Sequence, residues 1–405
     1  LLIVTFLRRE GVFDMNSNKL QVFVFAMLFV VGAFTGCVDE EDETTKTTVK
    51  IGFLNPLTGP LEPDAAGFSW GASEAIKDLN AANADFNFEL VEVDSGCDGA
   101  VAGPAAQTLV DSGVVAVTGA ACSGASMGAN AILSAAGIPM ISYASTNPGL
   151  SDASAYPLFY RVVPSDAIQG PAGAAMMADA GVTNESLAIL HMTNDYGSGL
   201  ADSVKAAWEE SGSLCGAGMQ GYEETTTDFS ALVTSIVSDD TCGAVYISSY
   251  ITDGALIIEE LAKQNFTGHV FAGDGPAGVG LYEKLSDNSV AANMTVSAPR
   301  AGSTFGDFEA RYDANAADVG SIKTYVLTAY DATMIIGKAA TMSGAINDNI
   351  KSTGTGYEGA SGLLTFLDNG DVGGAGYDIC TYGGADETYT CGKYWTASGG
   401  VQTAA

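Results

Sequence analysis

Residues Gly124-Ala125-Ser126-Met127-Gly128 have the G-x-S-x-G spacing of a serine nucleophile raised on a tight turn between strand and helix. That chemistry needs a histidine to take the hydroxyl proton and an acid to orient it. The only histidines are His191, expected at the end of one strand, and His269, expected at the start of another. The strand "VVAVTG" stops several residues before Gly124, which puts Ser126 inside the first helical turn and off the elbow. In a chain with 50 glycines such matches arise by chance, so a hydrolase using Ser126 is the minor reading. Gly216 to Gly221, "GAGMQG", fits G-x-G-x-x-G, but "YEETTTDF" follows where a dinucleotide site needs a helix to open. Asp195 and Asp274 stand as lone acids at strand ends, and no paired carboxylates, metal-ligand cluster or phosphate loop does better. The expectation is therefore a protein without catalysis or cofactor, a reversible binder whose polar groups converge in a cleft.

The cysteines set the compartment. Cys37 ends "FTGC" after a polar start at Met15, with Lys19, and an apolar stretch from Val22 to Phe34. This reads as an export signal with a lipoprotein cleavage box, although Phe34 stands where an aliphatic residue is usual. A membrane span needs about 20 apolar residues, more than this stretch supplies. Residues 1–36 are accordingly set aside as upstream and signal segment, Cys37 is the expected lipidation site, and acidic, Thr-rich 37–48 is the expected tether. The other six cysteines form an even set in an exported protein and fall in near pairs along the chain: Cys97 with Cys122, Cys215 with Cys242, Cys380 with Cys391. Connectivity stays open at this point. Zinc is the weaker reading, since no C-x-x-C spacing occurs. A formal charge of −32 argues against nucleic acid or an anionic membrane surface as partner, because phosphate contacts need clustered Lys and Arg.

Positioning such polar groups takes a scaffold, and the chain has the rhythm of one. "VKIGFL" is an apolar strand, Gly71 to Leu79 has helical spacing, and "FNFELVEVD", Val101 to Val110, "VVAVTG", Ser123 to Ala135 and "IPMISY" continue strand and helix in alternation. The rhythm restarts near Asp166 and runs through "SLAILHM", "GAVYIS" and "HVFAG" with helices between them. Short apolar strands alternating with helices imply parallel sheets covered on both faces. The residues after Val49 exceed the roughly 250–300 at which single cores stop growing, so two lobes are expected. In open parallel sheets ligands bind beyond the carboxyl ends of strands. The turns there, "TGAACSGAS", "ISYASTNP" and "FAGDGPAG", are small and hydroxyl-rich, which suits an anion at a helix start.

The ordered set "VKIGFLNPLTGPL", "GASEAIKDLN", "VEVDSGCDGAVA", "VTGAACSGAS", "IPMISYASTNP", "FYRVVPSDAIQGPAGA", "NDYGSGLADSV", "DFSALVTSI" and "TFLDNGDV" resembles the leucine/isoleucine/valine-binding protein family, type I periplasmic solute receptors of ABC importers. The resemblance implies an α/β protein of two doubly wound Rossmann-like lobes joined by a three-strand hinge. Lobe 1 would comprise 49–165 plus 299–350, and lobe 2 would comprise 166–298 plus 351–405. It implies a Cys97–Cys122 disulfide and assigns roles. Ser123 would hold a ligand α-carboxylate, and Ala144 and Thr146 would offer a carbonyl and a hydroxyl to the α-groups. Asp166, Tyr196 and Tyr250 would line the cleft, Tyr325 would pack on the ligand side chain, and Asp274 would pair with its ammonium. Where the family has an apolar or tyrosyl wall, "LEPDAAGFSW" brings Asp64 or Trp70, so side-chain specificity is expected to differ. The expected function is a monomeric, extracytoplasmic, lipid-anchored receptor. It would pass a branched-chain or other amino acid to an ABC permease, with an amide- or urea-type ligand or a sensor ectodomain as alternatives.

Overall fold

The computed structural model describes residues 46–404 except Asn184, 302–303 and 320–321. The signal segment and Cys37 lie outside the described residues. Thr47 and Thr48, assigned above to the tether, already pair with Phe86 and Asn87 in the first strand ladder.

The chain alternates β1 (Thr47–Asn55), α1 (Ala65–Ala82), β2 (Phe86–Asp94), α2 (Gly99–Asp111), β3 (Ala116–Thr118), α3 (Ser123–Ala135), β4 (Met140–Ser142) and β5 (Phe159–Arg161). It restarts with α4 (Asp166–Asp179), β6 (Leu187–Met192), α5 (Asp195–Trp208), β7 (Leu214–Tyr222), α6 (Ser230–Val237), β8 (Ala244–Ser248), α7 (Ile251–Lys263), β9 (His269–Ala272) and β10 (Met294–Pro299). Helices α8 (Phe308–Val319), α9 (Lys323–Ala340) and α10 (Ile346–Thr353) follow, then β11 (Thr355–Gly359), β12 (Gly362–Thr365), β13 (Tyr377–Tyr382), β14 (Tyr389–Thr396) and β15 (Gly400–Thr403). β6 and β8 are buried at every residue and β1 over its second half, as parallel strands covered by helices on both faces must be.

The first sheet runs β2-β1-β3-β4-β5, and the parallel part of the second runs β7-β6-β8-β9-β10. The two orders are the same, so each sheet reverses its winding at an equivalent point: between β1 and β3, and between β6 and β8. Crevices open there beyond the strand ends. Three segments cross from sheet to sheet: 162–165, the stretch after Pro299, and 373–376. This is the expected α/β fold with its three-strand hinge.

The tail divides more finely than expected. Antiparallel β13, β14 and β15 extend the second sheet from β10. The β11–β12 hairpin instead packs on the first-sheet side, where the buried carboxyl of Asp331 on α9 accepts the N–H groups of Ala360 (2.8 Å) and Ser361 (2.7 Å). Beyond it, Phe366 meets Tyr160 of β5 with ring centroids 4.9 Å apart. Strand β7, "LCGAGMQGY", was not expected, and it carries the G-x-G-x-x-G spacing inside an edge strand. Its glycines depress strand propensity, and pairing to β6 overrides them. Disulfides join Cys97 to Cys122, Cys215 to Cys242 and Cys380 to Cys391.

Helices α2 and α3 touch backbone to backbone. A Cβ on Gly128 would lie 2.3 Å from the Gly99 carbonyl oxygen, and one on Gly99 would lie 2.8 Å from that of Gly124. Gly128→Val should therefore cost about 1–3 kcal/mol by overpacking, read as a melting point several degrees lower by differential scanning calorimetry.

Candidate functional site

Both crevices open onto one cavity, and its walls come from the residues that follow the strand ends. Behind β1 stand Leu61, Asp64 and Phe68; behind β3 and β4 stand Cys122, Ser123 and Ala144. Facing them, β6, β8 and β9 contribute Tyr196, Tyr250 and Asp274, and the start of α9 adds Ile322 and Tyr325. The enclosed space is about 30 Å³, room for a water or two.

Ser123 is the first residue of α3, where the leading N–H groups of a helix have no partner within it. Its hydroxyl is buried and accepts the backbone N–H of Asn147 at 3.2 Å, which ties the α3 start to the loop after β4. That loop is held from beneath by Arg161, a fully buried arginine at the end of β5. Its guanidinium donates to the carbonyls of Ser145 (3.2 Å) and Asn147 (3.0 Å), and its Nε to Asp371 at 2.6 Å.

Across the cavity, Asp274 is only 4% exposed. Its carboxylate accepts the hydroxyl of Tyr196 at 3.0 Å and that of Tyr325. Burial raises its pKa, and the two tyrosine hydroxyls and Gln169 pull it back down in part. The Tyr196 ring stacks on Tyr250 at 5.1 Å, and the Tyr250 hydroxyl reaches Cys97 of the Cys97–Cys122 disulfide at 3.6 Å. The cavity thus sets hydroxyl and helix-start N–H donors on one side against a desolvated acid on the other. Such an arrangement can strip water from a small dipolar molecule and meet each of its poles.

Six of the eight expected site residues, Ser123, Ala144, Tyr196, Tyr250, Asp274 and Tyr325, share this cavity wall. Thr146 and Asp166 do not; both are fully buried outside it. The Thr146 hydroxyl stands near the Asp166 carboxyl and works to lower its pKa. Burial first, and then the charge of Asp274, hold Asp166 well above the usual carboxylate range. Of the two candidates for the altered wall, Asp64 lines the cavity. Trp70 turns away to stack on Phe308 at 5.2 Å. Ser126 is buried, and its hydroxyl accepts the N–H of Ala120 and meets that of Ser145 at 2.8 Å, while His191 binds the Met192 carbonyl on the other sheet.

Residues 71–385 match the family described as the receptor family ligand binding region. The chain belongs to this family. Its resemblance to leucine/isoleucine/valine-binding proteins is borne out by curated relatives. The leucine-, isoleucine-, valine-, threonine- and alanine-binding protein of Pseudomonas aeruginosa is 28% identical over 342 residues, 83% of this chain and 89% of the relative. The leucine-specific-binding protein of Salmonella typhimurium is 29% identical over 349 residues, 82% of this chain and 90% of the relative. The fold matches the branched-chain amino acid transporter substrate binding protein of Streptococcus pneumoniae crystallised with isoleucine, with a TM-score of 0.74, 23% identity and coverage of 85% and 98% of the two chains.

Within this receptor family fold, two features of the site escaped sequence reading. Ile322 joins the wall only because α9 returns from the far end of the chain to pack across the first sheet. Arg161 had a signal, a lone base among apolar residues in "FYRVVP", which marks a buried and paired arginine.

Proposed function

We propose that this protein is an extracytoplasmic solute-binding protein of an ABC importer. It takes a branched-chain or other amino acid into the cleft and delivers it to the permease by lobe closure, with no covalent chemistry of its own. Cys37 would tether it to the membrane as a lipid-anchored monomer. In this reading Ser123 and the α3 N-terminus hold the ligand carboxylate, Ala144 and Thr146 contribute from the neighbouring loop, and Asp274 receives the ammonium. Tyr196, Tyr250 and Tyr325 cover the stem, and Asp166 sets the charge behind Asp274. The first lobe carries residues through 165 together with α8–α10 and the β11–β12 hairpin, and the second carries 166–298 and β13–β15. The observation that carries the reading is the facing of Ser123 and Asp274 across one cavity. The names of the relatives, several of them branched-chain amino acid receptors, support it.

The cavity holds only a water or two, so an amino acid enters with the lobes apart and closure seals it. Among the described residues no helix is long and apolar enough to cross a membrane. A thermal-shift screen over the common amino acids and simple amides tests the proposal, because a ligand that binds only the folded state raises the melting point by mass action. At least one amino acid should raise it by several degrees. No shift with any of them, together with labelling of Ser126 by an active-site serine probe, would overturn the proposal.

A further inference from the structure

Outside the cavity, the two sides of the cleft touch at a second place. Asn147, in the loop after β4, stands against the start of α5, and its side-chain N–H donates to the carbonyl of Asp195. Its side-chain oxygen accepts the Gly149 N–H of its own loop at 2.6 Å, so the amide is held at one atom and reaches across with the other. The backbone of the same residue donates its N–H to the Ser123 hydroxyl at 3.2 Å, and its carbonyl accepts Arg161 at 3.0 Å. Asn147 therefore links the group read as holding the ligand carboxylate to the side of the opposite sheet. Two glycines allow this approach. A Cβ on Gly199 of α5 would lie 2.5 Å from the Asn147 side-chain nitrogen and 3.1 Å from the Pro148 ring, and one on Gly124 of α3 would lie 2.7 Å from the Asp195 carboxylate. Neither Asn147 nor Asp195 lines the cavity. The bond of Tyr325 to Asp274 also crosses the cleft, but it lies in the wall, where a ligand ammonium competes for the acid. A ligand can displace that bond and leave the Asn147 bond in place.

Resting on the amino-acid reading above, we propose that Asn147 is the latch of the closed cleft: its amide ties the loop that fixes Ser123 to the start of α5, so the lobes, once shut, retain the ligand through a bond in which no ligand atom takes part.

The test is titration calorimetry of the full exported chain with the common L-amino acids, the tightest of which is then titrated into Asn147→Asp, Gly199→Ala and the double variant. Aspartate keeps the acceptor for the Gly149 N–H and loses the donor to Asp195. Alanine at Gly199 leaves the Ser123 loop unaltered, is the better helix former inside α5, and pushes the Asn147 amide off its acceptor. Asn147→Asp should weaken binding by about 3- to 10-fold, the range for one net hydrogen bond, and Gly199→Ala by about 5- to 100-fold, the range for closing against a misfitted group. The loss should appear in the dissociation rate, read by stopped-flow fluorescence, because the ligand enters the open form and leaves only after the latch has parted. Without ligand, Gly199→Ala should melt no lower than wild type, which a merely loosened structure would not do. The double variant should bind within about threefold of Gly199→Ala alone, since both changes break one contact. Affinity within about twofold of wild type in both folded single variants, or losses that multiply in the double variant, would overturn the inference and leave the amino-acid receptor standing. Binding of no amino acid to the wild-type protein would overturn both.

Discussion

Asp274→Ala should weaken binding of the amino acid that most raises the wild-type melting point by about 100-fold, measured by titration calorimetry. Truncating one partner of a buried, hydrogen-bonded charge pair typically costs 2–5 kcal/mol, and about 2.7 kcal/mol is a factor of 100. The unliganded protein should melt within a few degrees of wild type. Two opposing effects meet there: Tyr196 and Tyr325 lose their acceptor, while the fold is relieved of a desolvated acid. The sign for pH follows from the same group. A carboxyl whose folded pKa is raised binds its proton more tightly in the folded state than in the unfolded one. It therefore opposes folding increasingly as pH climbs from the ordinary carboxylate range through the raised value. The ligand ammonium pairs with the deprotonated form, so affinity should rise with pH across that window, and Asp274→Asn should flatten the profile. Unchanged affinity in Asp274→Ala would mean that the ammonium partner lies elsewhere and that an uncharged amide or urea is the better ligand.

Arg161→Met should lower the melting point by roughly 6–15 °C. The fully buried guanidinium bonds to Asp371, to the Ser151 hydroxyl and to the carbonyls of Ser145 and Asn147. Its removal strands the Asp371 carboxylate beside Ser151 and Asn369, and an uncompensated buried charge costs about 3–5 kcal/mol. The double change Arg161→Met, Asp371→Leu should recover part of the loss, because replacing both partners by apolar groups is often near neutral. Ligand affinity should not recover with it. The Ser145–Asn147 loop would still lack its donor, and Asn147 is the residue whose N–H fixes the Ser123 hydroxyl. A double variant as unstable as the single one would show that the arginine's bonds to the loop, and not its charge pair, hold this corner together.

The parts of this protein legible without coordinates were those written in local periodicity. α3 runs from Ser123 to Ala135 as its small residues and spacing require. β1, β6 and β8 are the apolar runs expected of doubly covered strands. The misses have physical causes. β7 has glycine at three of its nine residues and owes its existence to a neighbour, and β5 and β10 are too short or too mixed in polarity to stand out from loop.

The turns that would carry the site could be named because hydroxyls, small residues and lone acids at strand ends are local features. Which of them face one another could not, since Ser123 and Asp274 are far apart in the chain and meet only when two separately wound sheets present their reversal points to a common cavity. The same long-range packing turns Trp70 onto Phe308, brings Asp64 to the wall and leaves Thr146 and Asp166 outside it. Residue order along one chain thus specified the strands, helices and chemical types. The pairing of acid with hydroxyl, the depth of burial and hence the charge each group can hold came from contacts between remote segments, because desolvation and Coulomb energy depend on distance in space.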